Sequence, residues 1–361
     1  MNRVGTQAFG VKLPIIKQGD DLIEIIVENL KKDTNDCEYQ IGEWNIFGLT
    51  ESIVARAYGQ YVTVDDVSNW LIKHFDKNMG SVIVFNPIFS RNRFSIILRS
   101  IARAFNNIIF VMDDIDEVGN NIEHDITKVN YAQLYKDICD EESCGTGFLN
   151  FAEFEEVSHN LRNTPIIDCT LHGELYEYPM CITNFPHIVS LKDICNNCSE
   201  WGLLGSNKMG EELLKLYPDS RYQTFVNELR LRICEEFGLM NVEVMIYGDG
   251  CFKDAESGIW EFADPVVSPA YTKGLEGGPA ELKLKYLADD EFKDLSGKEL
   301  EEAIKNRIAE KNVEQGTMET HGTTPRKYVN LLGSLMDLIS GSGDKGTPLV
   351  IVQNYFDNYV S

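Results

Sequence analysis

The chain has 361 residues and a formal net charge of −24, with 33 Lys+Arg against 57 Asp+Glu. Its 43 % hydrophobic and 25 % charged residues are a globular composition, enough to bury a sizeable core and unlike that of a disordered chain. The negative balance argues against nucleic acid and anionic membranes as partners, since both need positive surface over their footprint.

No run approaches the ~18 consecutive apolar residues of a membrane span. The start, Met1 to Gln7, lacks the apolar region of a secretion signal, so a cytoplasmic protein with reduced thiols is expected. The nine cysteines are odd in number and scattered, which is not the pattern of a disulfide scaffold.

In chain order, Asp20-Asp21-Leu22 opens a predicted helix through Lys32. The acidic start suits the positive end of the helix dipole, and Leu22, Ile25, Ile26 and Leu30 form one apolar stripe. Residues 44–49 read as a strand ending in a polar turn, Thr50-Glu51-Ser52, and residues 81–85 as another strand. A basic amphipathic stretch from Arg91 to Phe105 feeds a third strand, Asn107–Met112. From about 123 to 222 the pattern is less regular, with an acidic loop at Asp140-Glu141-Glu142 and strand-like pieces at 164–169 and 179–183. This segment reads as an inserted or second lobe of a single unit spanning 1–361. A helix over 220–237 leads into the strand Val242–Tyr247. Ser296-Gly297-Lys298-Glu299 has the form of a capping box ahead of a helix to Lys311. A helix over 326–339, a Gly-rich loop and the strand Leu349–Gln353 follow. Strands separated by helices predict an α+β (mixed α/β) fold.

Two of these strands run into carboxylates. Asn107–Met112 is followed by Asp113, Asp114, Asp116 and Glu117, and Val242–Tyr247 by Gly248-Asp249-Gly250 with Asp254 close behind. Strand C-termini face the usual ligand crevice of such sheets, and grouped carboxylates ionise together only when solvated or neutralised by a cation. Mg²⁺ or Mn²⁺ would suit them; a solvated acidic turn is the plainer alternative. In the loop Ser340 to Pro348, glycines let backbone N–H groups converge on a phosphate and Lys345 adds charge. Gly341-x₄-Gly346 is followed by Thr347, so it is not a P-loop, and a helix–strand connector is the alternative. Arg91, Arg93, Arg99 and Arg103 suit an anionic substrate, or else they balance nearby acid. Cys195 and Cys198 form a lone CxxC, and Cys139 and Cys144 do not complete a zinc site with it. No G-x-S-x-G occurs, and the G-x-G-x-x-G spelled by Gly341 to Gly346 lies between a helix and a strand rather than between a strand and a helix, so hydrolase and dehydrogenase readings lack their motifs.

Taken in order, five blocks resemble the coenzyme F420 gamma-glutamyl ligase family: Gly10-Val11-Lys12-Leu13-Pro14-Ile15-Ile16-Lys17 with Gly19-Asp20-Asp21; Thr50 to Ala57-Tyr58-Gly59; Asp116 to Asn120; Asp249; and Asn330 to Pro348. The resemblance implies an α+β fold of two interlocked lobes and a homodimer. It also implies a ligase that uses GTP (or ATP) and a divalent metal to convert a terminal carboxylate into an acyl phosphate, which the amine of L-glutamate attacks. By position, Leu13, Pro14, Ile15, Ile16, Ser52, Arg56, Asn120 and the loop Gly341, Ser342, Gly343, Asp344, Lys345, Gly346 would hold the nucleotide. Asp116 and Asp249 would hold metal; the family's Asp-Thr pair reads Asp249-Gly250 here, and Asp254 is the replacement ligand. The four arginines would clamp the acidic substrate. The family usually carries Lys where Arg56 stands, a change of hydrogen-bonding geometry but not of charge. The alternative is a non-catalytic descendant that binds a nucleotide or acidic metabolite, for which Arg56 and the 341–346 loop suffice.

Overall fold

The computed structural model describes residues 5–36, 39–75, 80–89, 94–113, 130–170, 181–198, 202–205, 212–248, 251–253, 260–262, 268–279, 282–310, 327–341 and 343–357. The chain divides into two units. The first comprises Met1–Ala57, Ser220–Gly250 and Val266–Ser361, and the second Tyr58–Asp219 and Cys251–Pro265. Segment 123–222 falls in the second unit as far as Asp219. No helix among the described residues is long and apolar enough to cross a membrane.

The first unit is built on a sheet of β1 (Gln7–Val11), β15 (Leu349–Gln353), β2 (Ile46–Thr50), β11 (Glu243–Tyr247) and β14 (Ala270–Tyr271), in that spatial order. Only β2 and β11 run parallel; the other pairs are antiparallel. Because strand side chains alternate, one face presents Ile46, Met245, Tyr247, Val350 and Val352 to Val329, Leu332 and Met336 of helix α9 (Tyr328–Ser340). On the other face Phe47, Leu49, Val244, Ile246 and Ile351 are buried. Helix α1 (Leu22–Asn35) starts where expected, with the Asp21 carboxylate accepting from the Glu24 N–H at 3.1 Å, and its buried stripe packs with α7 (Ser220–Phe237).

Two local expectations are corrected. Where a polar turn was predicted after β2, helix α2 (Glu51–Tyr58) begins at once, burying Val54, Ala55 and Ala57. Eight residues carry too little periodicity to announce a helix. The capping box at Ser296 is not formed: α8 (Gly297–Ala309) has no side-chain cap bond. Gly297 enters at φ +56, so the chain turns in from a left-handed residue that does not aim Ser296 at the third helical N–H.

The second unit holds an all-parallel sheet of β4 (Ser81–Phe85), β5 (Asn107–Val111), β6 (Gly145–Leu149), β7 (Ile166–Asp168) and β8 (Ile188–Ser190), in the order β6-β5-β4-β7-β8. Parallel strands need covering on both faces, and their side chains divide accordingly. Val82, Val84, Ile108 and Phe110 join the core with helices α3 (Val64–His74), α4 (Phe94–Ala104) and α5 (Tyr131–Glu141). Ile83, Phe85 and Val111 pack instead with Phe154 of α6 (Phe151–Leu161) and with Phe185. Helix α3 starts with a reciprocal capping box between Thr63 and Asp66. The strand order is that of a doubly wound sheet, but after β4 the chain reads Asn86-Pro87-Ile88-Phe89 with Ile88 and Phe89 buried, not glycines that admit a phosphate. A small antiparallel sheet, β3 (Tyr61–Thr63), β10 (Leu213–Leu216) and β9 (Leu203–Gly205), and a hairpin, β12 (Cys251–Lys253) with β13 (Trp260–Phe262), complete the unit. The strand expected at 179–183 is not formed at 181–183; the Phe185 N–H donates to the Ile182 carbonyl at 3.0 Å, making turns ahead of Pro186.

Four acidic side chains surround the arginines of α4. Arg99 donates to Glu142 at 2.7 Å and to Glu141 at 2.6 Å. Arg103 donates to Glu142 at 2.9 Å, Asp65 at 3.0 Å and Glu212 at 2.9 Å. Hydrogen bonding from Arg103, reinforced by Arg99, holds the Glu142 carboxyl below its ordinary pKa although burial pushes the other way.

Two predictions follow from this packing. A methyl group at Gly48 would collide with the Met336 sulfur, so Gly48→Ala should destabilise the first unit by about 1–3 kcal/mol in denaturant unfolding. Combining it with Met336→Ala should cost less than the two changes summed. For Glu142 the folded pKa is depressed, so its contribution is complete above the unfolded value near 4.5 and is lost as pH falls through the folded one. Glu142→Gln should lower Tm at neutral pH, and the gap between mutant and wild type should narrow as pH falls below about 4.5.

Candidate functional site

At one edge of the first unit's sheet the strand ends coincide. Val11 is opposite Leu349, Leu349 is opposite Leu49, and Thr50 is opposite Tyr247. Strands β1, β2 and β11 therefore all leave the sheet where β15 enters it. The segment after β1, the start of α2, the end of β11 and the Gly-rich loop before β15 meet there.

Direct hydrogen bonds fasten these pieces. The Leu13 N–H donates to the Gly346 carbonyl at 3.2 Å, and the Thr50 N–H to the Pro348 carbonyl at 2.9 Å. A side chain on Gly10 would press on Thr347 at 2.9 Å, so glycine permits that approach. The 12–20 segment is also held by Asn29, whose amide donates to the Lys12 carbonyl at 2.9 Å, and by the Gly19 N–H, which donates to the Ala57 carbonyl at 2.9 Å. Ile16 is buried and anchors this segment, while Ile15 is 82 % exposed.

On α2, Ser52 and Arg56 are one turn apart on an exposed face. The Ser52 hydroxyl lies 3.3 Å from that of Thr50. Between those two residues Glu51 is buried, and its carboxylate accepts from the Tyr222 hydroxyl at 3.0 Å, pinning the corner from beneath. Neither Glu51 nor Tyr222 was singled out from sequence; a carboxylate directly following an apolar strand was the available signal.

The Gly-rich loop closes α9. Gly341 takes φ +61, its N–H donates to the Asp337 carbonyl at 3.0 Å, and the Thr347 hydroxyl donates to the Ser340 carbonyl at 2.9 Å. A Cβ on Gly341 would lie 2.6 Å from the Lys345 Nζ, so that ammonium sits over the negative C-terminal end of α9. A Cβ on Gly343 would meet nothing within 4 Å, which leaves this part of the loop open. The edge thus offers the N-terminal N–H groups of α2, two hydroxyls and two cations, a donor set suited to an anion with several oxygens.

Leu13, Pro14, Ile15, Ile16, Ser52, Arg56, Gly341, Gly343, Asp344, Lys345 and Gly346 accordingly all belong to this edge or to the segments fastened to it. Asn120, Ser342, Asp116, Asp249, Asp254, Arg91 and Arg93 lie outside the described residues. Arg99 and Arg103 belong to the second unit, where their guanidinium groups pair with the chain's own carboxylates. Among the described residues no group of three or more His, Cys, Asp or Glu is placed to hold a metal.

A sequence profile described as F420-0:Gamma-glutamyl ligase matches residues 10–354, nearly the whole chain. No curated protein matches the sequence. The matched span begins at the Gly10 that lets β1 approach Thr347 and ends just past β15, so it takes in the converging segments of the sheet edge: the chain belongs to the F420-0:gamma-glutamyl ligase family.

Proposed function

We propose that the protein is a nucleotide- and divalent-metal-dependent amide ligase that adds an amino acid, L-glutamate, to an acidic acceptor. The family carries ligase chemistry. The observation that supports the finer reading is the convergence of Leu13–Ile16, Ser52–Arg56 and the 341–346 loop, fastened by the Leu13–Gly346 hydrogen bond. In this reading GTP or ATP donates a phosphoryl group to the acceptor carboxylate, and the glutamate amine attacks the resulting acyl phosphate and displaces phosphate. Arg56 and Lys345 offset the phosphate charge, the α2 N–H groups and the Ser52 hydroxyl orient its oxygens, and exposed Ile15 offers an apolar surface to the base. Asp116, Asp249 and Asp254 are the proposed ligands of a Mg²⁺ or Mn²⁺ ion, which when bound would neutralise charge on the transferring phosphate. For Arg91 and Arg93 the proposed role is to hold the acidic acceptor; Arg99 and Arg103 would support it only through the ion pairs they already make. A homodimer in the cytoplasm is part of the same proposal.

Thermal stability in the presence of GTP or ATP, each with and without Mn²⁺, tests this. A nucleotide at a hundredfold its Kd should add about 2.7 kcal/mol to the folded state. The expected result is stabilisation by one nucleotide that requires metal, disappears in Asp116→Ala/Asp249→Ala, and shrinks in Arg56→Ala. Stabilisation indifferent to metal and to both aspartates would instead indicate a nucleotide-binding protein without the ligase chemistry. No stabilisation by either nucleotide would remove the nucleotide assignment.

A further inference from the structure

Helix α5 ends in a surface turn that carries two buried thiols. Cys139 and Cys144 are both free and both buried, while Asp140, Glu141, Ser143 and Gly145 around them are exposed. The Cys144 N–H donates to the Cys139 carbonyl at 2.8 Å, and Ser143 takes φ +59, which folds the chain back so that the two residues face each other. The Cys144 thiol donates to the Gly145 carbonyl at 3.6 Å. The two neighbouring thiols perturb one another in opposite directions: interaction with Cys139 draws the Cys144 thiol below the ordinary thiol range, while Cys144 and burial push Cys139 above it. Between the two cysteines stand Glu141 and Glu142, the carboxylates that receive Arg99 and Arg103.

We propose that Cys139 and Cys144 are a thiol-oxidation site: a peroxide converts them into a reversible intramolecular disulfide that staples the turn presenting Glu141 and Glu142 to α4. In the first step the Cys144 thiolate attacks an oxygen of hydrogen peroxide, the O–O bond breaks, the sulfenic acid forms, and the departing hydroxide takes the proton the thiol gave up and leaves as water. In the second the Cys139 sulfur attacks that sulfenic sulfur, the S–O bond breaks, and the disulfide forms with release of a second water. Two thiols are oxidised and one peroxide is reduced. A direct backbone hydrogen bond at 2.8 Å holds the two residues side by side, the proximity a disulfide requires. Opening of an exposed turn is the low-cost motion that admits a small oxidant to otherwise buried sulfur. The pair Cys195 and Cys198 differs: Cys198 is exposed, and its sulfur accepts from the Asn197 amide at 3.4 Å.

The test treats the full chain with hydrogen peroxide, alkylates remaining thiols in denaturant and maps the peptides by mass. Exposed Cys198 reports that the oxidant has acted. The expected result is a peptide species linking Cys139 to Cys144, lighter by two hydrogens and reversed by dithiothreitol. Cys139→Ser should instead accumulate a sulfenic acid at Cys144 that dimedone traps. Recovery of Cys139 and Cys144 as alkylated thiols after Cys198 has been consumed would overturn the proposal, as would linkage of Cys144 to any other cysteine. The wild-type map decides the question even where a serine variant folds poorly.

Discussion

Strand β15 lies between β1 and β2, antiparallel to both, and its first residue, Leu349, is opposite Val11 on one side and Leu49 on the other. Every feature of the candidate site depends on that insertion. Leu349 to Val352 are fully buried, with Val350 and Val352 packed toward α9, so a one-residue slip would exchange the side chains fitted to the two faces. The register places the 341–348 loop against residues from the opposite end of the chain. Gly10 and Gly48 make the arrangement sterically feasible, the first beside Thr347 and the second beneath Met336. Neither position tolerates a Cβ without displacement of its neighbour, so the loop's position and the packing of α9 are consequences of one sheet geometry.

The same edge combines two opposed helix ends. Helix α2 presents its N-terminus, whose dipole favours an anion, and α9 presents its C-terminus, where carbonyls disfavour one. Lys345 folded over Gly341 offsets the second effect. Glu51, buried at the start of α2, satisfies the Tyr222 hydroxyl, leaving Ser52 and Arg56 exposed. Fixed dipoles and positioned charges are what the proposed phosphoryl transfer would require of a protein that supplies no covalent group.

Electrostatics in the second unit follow a different logic. In a chain of net charge −24, cations are scarce, and Arg99 and Arg103 serve to join α3, α4, the α5 turn and the start of β10 through carboxylates on each. Their guanidinium forks allow one side chain to satisfy several acids at once, as a lysine ammonium does with less directional control. Glu142, bonded by both arginines, is the shared partner, and it sits in the turn bracketed by Cys139 and Cys144.

The sequence by itself determined the strands at 81–85 and 349–353, the long helix at 220–237 and the α+β class, because apolar runs bounded by turn residues report their own burial. Family membership was legible through resemblance rather than periodicity: the ordered blocks from Gly10 to Pro348 that resemble the family lie inside the matched span. Helix α2 was not legible, being too short for its periodicity to show. The capping box at Ser296 was legible but unrealised, since the backbone angle of Gly297 depends on how the chain arrives. Tertiary structure alone decided that Leu13 bonds to Gly346, that Gly48 faces Met336, and that Arg103 finds acids on three other segments. Each of these contacts joins residues far apart in the chain, and local propensity holds no information about which distant partner a sheet register will deliver.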